Sequence, residues 1–355
     1  VMVRSPTAIF RDRTLSDLPS KITATIDFGL PGRQHGYLNI PHSSNESAWG
    51  AIRMPVTCIA NGEGPTLLFT GANHGDEYEG PVSLVKLARE LDPATIQGRV
   101  IILPFLNYPA FLAASRCSPI DGANMNRVFP GRRDGTITEM IANYVTRNLL
   151  PLADCVCDIH SGGKTLKFMP FIGIHYLDDP ALMLRSRAAM AAFGAPVALE
   201  SIEVDSAGMM DGVVEGLGKI FMYTELGGGG TVTTETVSIA ERGIRNLLRH
   251  FEILDEPLEA TPTVEMEMPD ERSFLISDHA GLFEPVADLG DAVMEGDVVC
   301  RIYRIEAPQE APAEYRAARD GTVIGRNHKG LVAHGDFLAG IAIDRASHPD
   351  EDITL

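Results

Sequence analysis

Residues 69–80 read FTGANHGDEYEG and lie between an apolar run, TLLF, and a helix-like pattern, PVSLVKLARELD. That order, strand then turn then helix, puts His74 and Glu77 three residues apart in the turn. A neutral imidazole and a carboxylate at this spacing can close on one small cation, and zinc accepts nitrogen and oxygen ligands together. The same residues have a plainer reading. Acidic side chains just before a helix favour its positive end, which would make Asp76, Glu77 and Glu79 dipole partners and His74 a loop residue. A two-residue motif does not choose between the two; the rest of the chain must.

From MPVTCIA onward, apolar strand-like runs alternate with helical stretches: TLLFTG, a helix to about Asp92, RVIILPFLN, then ITEMIANYVTRNLLPLA leading into CVCDIHSGG, and LMLRSRAAMAAFGA. KIFMYTELGGGG and SIAERGIRNLLRHFEIL close the region as a strand and a helix. Runs that are apolar throughout suit strands covered on both faces. The expected fold is therefore α/β, a largely parallel or mixed sheet flanked by helices. Position then adds information. His74 and Glu77 follow TLLFT, His160 ends CVCDI, and Glu225 ends KIFMYT. In open α/β sheets, ligands bind at the carboxyl edge of the strands, so the fold can bring these residues together. Taken singly, His160 is an ordinary satisfied histidine and Glu225 a solvated carboxylate. Jointly, with glycine-rich tails SGG and GGGG that allow close backbone approach, they point to a site. The irregular stretch SPIDGANMNRVFPG carries Asn124, Asn126 and Arg127. A guanidinium beside an amide suits a carboxylate ligand; the alternative is a loop arginine paired with Asp121 or Asp134.

At 355 residues the chain is too long for one ordinary core. Residues 1–50 read as an irregular lead-in with strand-like fragments at KITATIDF and HGYLNI, 51–256 as the main α/β domain, 257–269 as an acidic linker, and 270–355 as a small all-β domain. The last part holds a weak internal repeat: AGLFEPVADLGDAVMEGDVVCRI and DGTVIGRNHKGLVAHGDFLAGI share a glycine start, an apolar middle and a late GD. Two such units suggest a β-sandwich with pseudo-twofold symmetry, similar to biotinyl and lipoyl domains. YRIEAPQEAPAEYRAARD, between the halves, has no lysine to carry such a group, so a structural or lid role is expected.

The formal charge of −18 argues against nucleic acid or an anionic membrane surface as a partner. No apolar run approaches the roughly 18 residues of a membrane span, and the N-terminus lacks the apolar centre of a secretion signal, which leads us to expect a cytoplasmic protein. Cys58, Cys117, Cys155, Cys157 and Cys300 are scattered without CxxC spacing and suggest neither a disulfide framework nor a thiolate zinc site. A homo-oligomer is compatible with the sequence.

GANHGDEYEG, NMNR, DIHSGG and TELGGGG, in that order, resemble the succinylglutamate desuccinylase/aspartoacylase family, relatives of the zinc carboxypeptidases; the likeness covers roughly residues 50–345. It implies a zinc-carboxypeptidase-like catalytic domain with one zinc held by His74, Glu77 and His160, an arrangement that leaves a position open for catalysis. It further implies Glu225 as general base, Asn126 and Arg127 on the substrate's α-carboxylate, and removal of a small acyl group from an N-acyl amino acid. Asp158, on the same strand face as His160, is placed to orient that histidine from behind. Aspartoacylase-like members carry a further arginine about eight positions before the motif arginine; this chain has Ser118 there, with Arg116 the nearest substitute. Within the family the TELGGGG and SPIDGANMNRVFPG stretches are most similar to members that deacetylate N-acetyl-2,4-diaminobutyrate in ectoine breakdown. A cationic substrate of that kind calls for an acidic wall, for which Glu203, Asp205 and Asp211 are candidates. A metallocarboxypeptidase acting on peptides, or a non-catalytic binding protein retaining the fold, are the competing expectations.

Overall fold

The computed structural model describes residues 18–204 and 207–345. The chain enters through strands β1 (Thr23–Ala24), β2 (Gly32–Pro41), β3 (Ala51–Asn61) and β4 (Thr66–Gly71), followed by helix α1 (Glu79–Glu90) and β5 (Gly98–Leu103). Helices α2 (Tyr108–Leu112) and α3 (Ile137–Tyr144) precede β6 (Cys155–His160), β7 (Leu166–Phe168) and β8 (Phe171–His175). Then come α4 (Pro180–Phe193), β9 (Val197–Ser201), α5 (Met210–Gly216), β10 (Ile220–Glu225) and α6 (Thr234–His250). Among the described residues no helix is long and apolar enough to cross a membrane.

The central strands stand in the order β3-β5-β4-β6-β10-β8-β9. β5, β4, β6 and β10 run parallel to one another, and β8 is antiparallel to β10, so the sheet is mixed. Every residue of TLLFTG and of CVCDIH is buried, as continuous apolar runs require. Alternate residues serve opposite faces. Leu67, Phe69, Cys155 and Cys157 pack with α1, α4 and α6, whereas Leu68 and Val156 pack with α3. Each fully buried Leu, Ile or Phe adds roughly 1.5–3 kcal/mol, which makes these strands a stiff platform. Local signals agree with the packing. Thr136 and Glu139 close a capping box at α3, and α4 starts on the Asp179 cap with Pro180 behind it and ends at Gly194, φ 73°.

Two expected segments differ. Residues 1–17 of the lead-in lie outside the described residues, but β2 is no loose segment: it pairs with β3 over ten positions, from Gly32↔Ala60 to Pro41↔Ala51. Leu38 and Ile40 are buried in the main core. The strand-like fragment HGYLNI is part of β2; the glycines and polar residues of its first half hide the rest, because most of that half has one solvated face. The linker also contains a strand. β11 (Val264–Met268) adds in parallel to β9, with Met266 and Met268 buried, and so extends the main sheet.

The C-terminal part consists of β12 (Phe274–Ile276), β13 (Gly281–Pro285), β14 (Ala292–Val293), β15 (Val298–Tyr303), β16 (Ala313–Arg316), β17 (Gly321–Asn327), β18 (Leu331–Val332) and β19 (Phe337–Asp344). The two repeat units are β13–β15 and β17–β19, and they exchange their short middle strands. β14 of the first pairs with β17, and β18 of the second pairs with β13. One core, including Val293, Ile302, Val323 and Ile341, lies among them. The unit is not separate from the main sheet: β19 pairs with β11 and β17 with β7.

Candidate active site

The parallel register sets Gly71 beside Ile159 and His160 beside Glu225, so three strands end on one edge. The turn after β4 needs close backbone approach there, since a Cβ on Gly80 would fall 2.8 Å from the Ile159 carbonyl oxygen. His74, Glu77 and His160 meet at this edge and all are buried. His74 Nδ1 is 2.7 Å from Glu77 Oε1, and His160 Nδ1 is 2.8 Å from Glu77 Oε2. Both imidazoles are held from behind: His74 Nε2 lies 3.1 Å from Asn124 Oδ1 and His160 Nε2 lies 2.7 Å from Asp158 Oδ2. Asp158 is itself fixed by Thr70 Oγ1 and Asn73 Nδ2, at 2.6 and 2.7 Å. With each Nε2–H donated backward, each Nδ1 is turned toward the Glu77 carboxylate, where a cation bound between them would take its lone pair. One ligand atom from each of the three residues lies within 4.8 Å of the others. Two imidazoles and a carboxylate, oriented by outer hydrogen bonds, are a donor set that fits zinc.

Charge follows this geometry. Burial opposes ionisation of Glu77, but the two imidazoles outweigh it and hold its carboxyl low. Burial pushes His74 down, whereas at His160 Asp158 and Glu77 overcome burial and raise the pKa. Glu225 is pushed up to about 8, by burial first and by the Glu77 charge next. Its buried Oε2 has no hydrogen-bond partner.

Arg116 also reaches the site, its Nη1 3.6 Å from Glu77 Oε1. Ser118, two positions on, is fully buried. The arginine offset in sequence thus stands at the cavity despite its displaced position. Asn126 and Arg127 lie on a short 3-10 turn, Met125–Arg127, capped by Asn124, whose Oδ1 accepts the Asn126 N–H at 2.9 Å. Asn126 Oδ1 accepts the Met210 N–H at 3.1 Å, which fixes the amide and leaves its NH2 to the cavity. Arg127 does not take the pairings weighed for it. Asp121 accepts from Thr138, and Asp134 pairs with Lys21 and Arg133. Glu79 is buried beneath α6, accepting from Thr236.

His74, Arg116, Arg127, His160 and Glu225 open on one cavity of about 420 Å³. Phe274, Ile324 and Phe337 of the C-terminal strands form part of its wall. At another part of the lining stand His175, Glu203 and Asp211. His175 Nδ1 is 3.3 Å from Glu215 Oε1 and its Nε2 3.4 Å from Glu203 Oε2. These carboxylates outweigh burial and raise the His175 pKa, while burial holds Asp211 up at about 7. Of the acidic residues expected on a wall, Glu203 and Asp211 line the cavity and Asp205 lies outside the described residues. Sequence reading missed His175 and Tyr223, since a strand histidine and tyrosine have no local signature of function.

Comparison with known proteins agrees in extent. Residues 63–251 match the succinylglutamate desuccinylase/aspartoacylase catalytic domain. The N-alpha-acetyl-L-2,4-diaminobutyric acid deacetylase of Halomonas elongata is 49% identical over 326 residues, 91% of this chain and 95% of that protein. The product-bound structure of the ectoine utilization protein EutE (DoeB) from Ruegeria pomeroyi has a TM-score of 0.89 at 49% identity, covering 92% of this chain and 99% of its own. A succinylglutamate desuccinylase/aspartoacylase structure from Rhodobacter sphaeroides has a TM-score of 0.87 at 39% identity, covering 92% of this chain and 100% of its own.

Proposed function

We propose, because this chain belongs to the succinylglutamate desuccinylase/aspartoacylase family, that it is a zinc-dependent deacylase that hydrolyses the amide of an N-acyl amino acid, N-acetyl-L-2,4-diaminobutyrate above all. The observation that carries this reading is the meeting of His74, Glu77 and His160, both imidazoles held by their Nε2 atoms, beside a half-buried Glu225 whose buried Oε2 is unpartnered. The H. elongata relative's name supports the narrower substrate.

His74, Glu77 and His160 would hold the zinc, which when bound supplies Lewis acidity toward the amide carbonyl and toward water. The residues of the chain do the rest. Arg127 and the Asn126 amide grip the α-carboxylate beside the scissile amide. Glu225 takes a proton from the attacking water and hands it to the leaving nitrogen as the C–N bond breaks, releasing acetate and the free amine. Arg116 adds positive charge beside the site. Glu203 and Asp211 receive the cationic end of the amine portion. A peptide substrate is disfavoured because C-terminal strands wall the cavity.

The test joins metal analysis with a substrate panel. Wild type is expected to hold about one zinc per chain and to prefer N-acetyl-2,4-diaminobutyrate over N-acetylaspartate and N-succinylglutamate in kcat/KM. His160→Ala leaves two protein ligands and should lose most of the metal while the core stays folded. Full zinc occupancy in that variant removes the site; preference for an acidic substrate removes only the diaminobutyrate assignment.

A further inference from the structure

β8, β9 and β10 run side by side under the cavity, with Glu225 opposite Phe171, Tyr223 opposite Gly173, Gly173 opposite Leu199, and His175 opposite Ser201. Side chains two apart on a strand share a face, so Tyr223 stands next to Glu225, about 7 Å along β10. Gly173 presents nothing on that face, and the tyrosine ring fills the gap. A Cβ at Gly173 would fall 2.6 Å from Tyr223 Cζ and 2.9 Å from its hydroxyl oxygen. The ring is fixed on three sides. Its hydroxyl is 3.2 Å from Ser201 Oγ, its face stacks on His175 at 5.2 Å between centroids, and it meets Phe171 edge-on at 5.9 Å.

In strand order the cavity floor therefore runs from the Glu225 row, through the Tyr223–Gly173 row, to the His175–Ser201 row. Beyond that last row Glu203 lies 3.4 Å from His175, and Asp211 also lines the cavity. A substrate with its amide at Glu225 and its cation at Glu203 and Asp211 must cross the tyrosine ring. We propose that Tyr223, set in the slot that Gly173 leaves open, is a specificity-determining residue that sets the length of amine side chain the enzyme accepts. This rests on the function proposed above. What the ring leaves uncovered by His175 offers apolar contact to methylenes and a favourable surface to an ammonium group, while its fixed position limits the room beside it.

The experiment measures kcat/KM for the Nα-acetyl derivatives of 2,3-diaminopropionate, 2,4-diaminobutyrate, ornithine and lysine, with zinc content and soluble yield as checks on folding. Tyr223→Ala removes the floor and should raise the ratio of ornithine to diaminobutyrate derivative by about tenfold or more, the scale of one methylene in a pocket. Gly173→Ala pushes the ring upward and should move selectivity the other way, toward the diaminopropionate derivative. Tyr223→Phe keeps the ring and should keep the wild-type profile. Because the two alanine variants are expected to shift in opposite directions, either alone decides the matter if the other fails to fold. Selectivity unchanged in the folded variant overturns this inference only. A wild type inactive on all four compounds overturns it together with the proposed function.

Discussion

Glu225 and Asp211 are carboxyls whose removal from water pushes their pKa up, yet they ask for different experiments. Glu225→Gln keeps the shape but cannot accept a proton, and loss of a general base costs ~10²- to 10⁴-fold. Turnover should fall by that much with zinc retained, and near-normal kcat would place the base elsewhere. Asp211 instead bears on stability. Its folded pKa, about 7, lies above its ordinary 3.8, so folding favours the protonated form. Between those two pH values the ionised group increasingly destabilises the fold, and above about 7 the penalty is fully present. Asp211→Asn should therefore raise Tm at pH 8 more than at pH 4, with His175 still keeping Glu203 and Glu215 beside it. An equal Tm change at both values contradicts the assignment. The same variant should weaken kcat/KM for the diaminobutyrate substrate on the order of ten- to hundredfold, the range of a charge-assisted hydrogen bond. Stability and recognition would then oppose each other at one side chain.

The glycine-rich arm after β10 shows how an element sets a site residue. Gly227, Gly228, Gly229 and Gly230 all have positive φ. The arm lies against β7: the Phe168 N–H donates to the Gly227 carbonyl at 2.9 Å and the Gly229 N–H to Leu166 at 3.2 Å. A Cβ on Gly228 would fall 2.2 Å from the Leu166 carbonyl oxygen, and its φ of 138° suits glycine alone. Gly228→Ala should displace Glu225, three residues back. A shift of about 1 Å can cost on the order of 10²-fold in kcat, and zinc should stay bound. Gly216→Ala, where a Cβ meets nothing within 4 Å, is the control. Equal activity in both variants would mean that the arm does not position the base. This arm was legible in the sequence as GGGG, and so were β4, β6 and β10, because strands buried on both faces become continuous apolar runs. β2 was legible only in its HGYLNI half and β11 not at all, since each keeps part of its length exposed and mixes polar residues into the strand. The proximity of Arg116 to Glu77 was legible only as a nearby substitute for Ser118; its reach depends on the course of the loop after α2.

Across the whole molecule, the C-terminal unit is joined to the catalytic sheet at two seams, β19 on β11 and β17 on β7. The internal repeat was visible in the sequence, but the seams were not, because pairing partners some 75–160 residues apart leave no local pattern. These seams give the unit two separable effects. It walls the cavity through Phe274, Ile324 and Phe337, and it covers the edge of β11 and the apolar side chains of Met266 and Met268. None of His74, Glu77, His160 or Glu225 belongs to it. Deleting residues 270–355 should therefore expose a strand edge and apolar surface, and soluble yield should fall sharply. Zinc per chain in the soluble fraction should stay near the intact value. Activity should fall for N-acetyl-2,4-diaminobutyrate and lose its bias against larger N-acyl dipeptides, since the wall that excludes them is gone. Measuring zinc, soluble yield and the ratio of kcat/KM for the two substrate sizes separates these effects. A shortened chain that stays soluble and keeps the intact selectivity would show that the unit neither covers nor shapes the site.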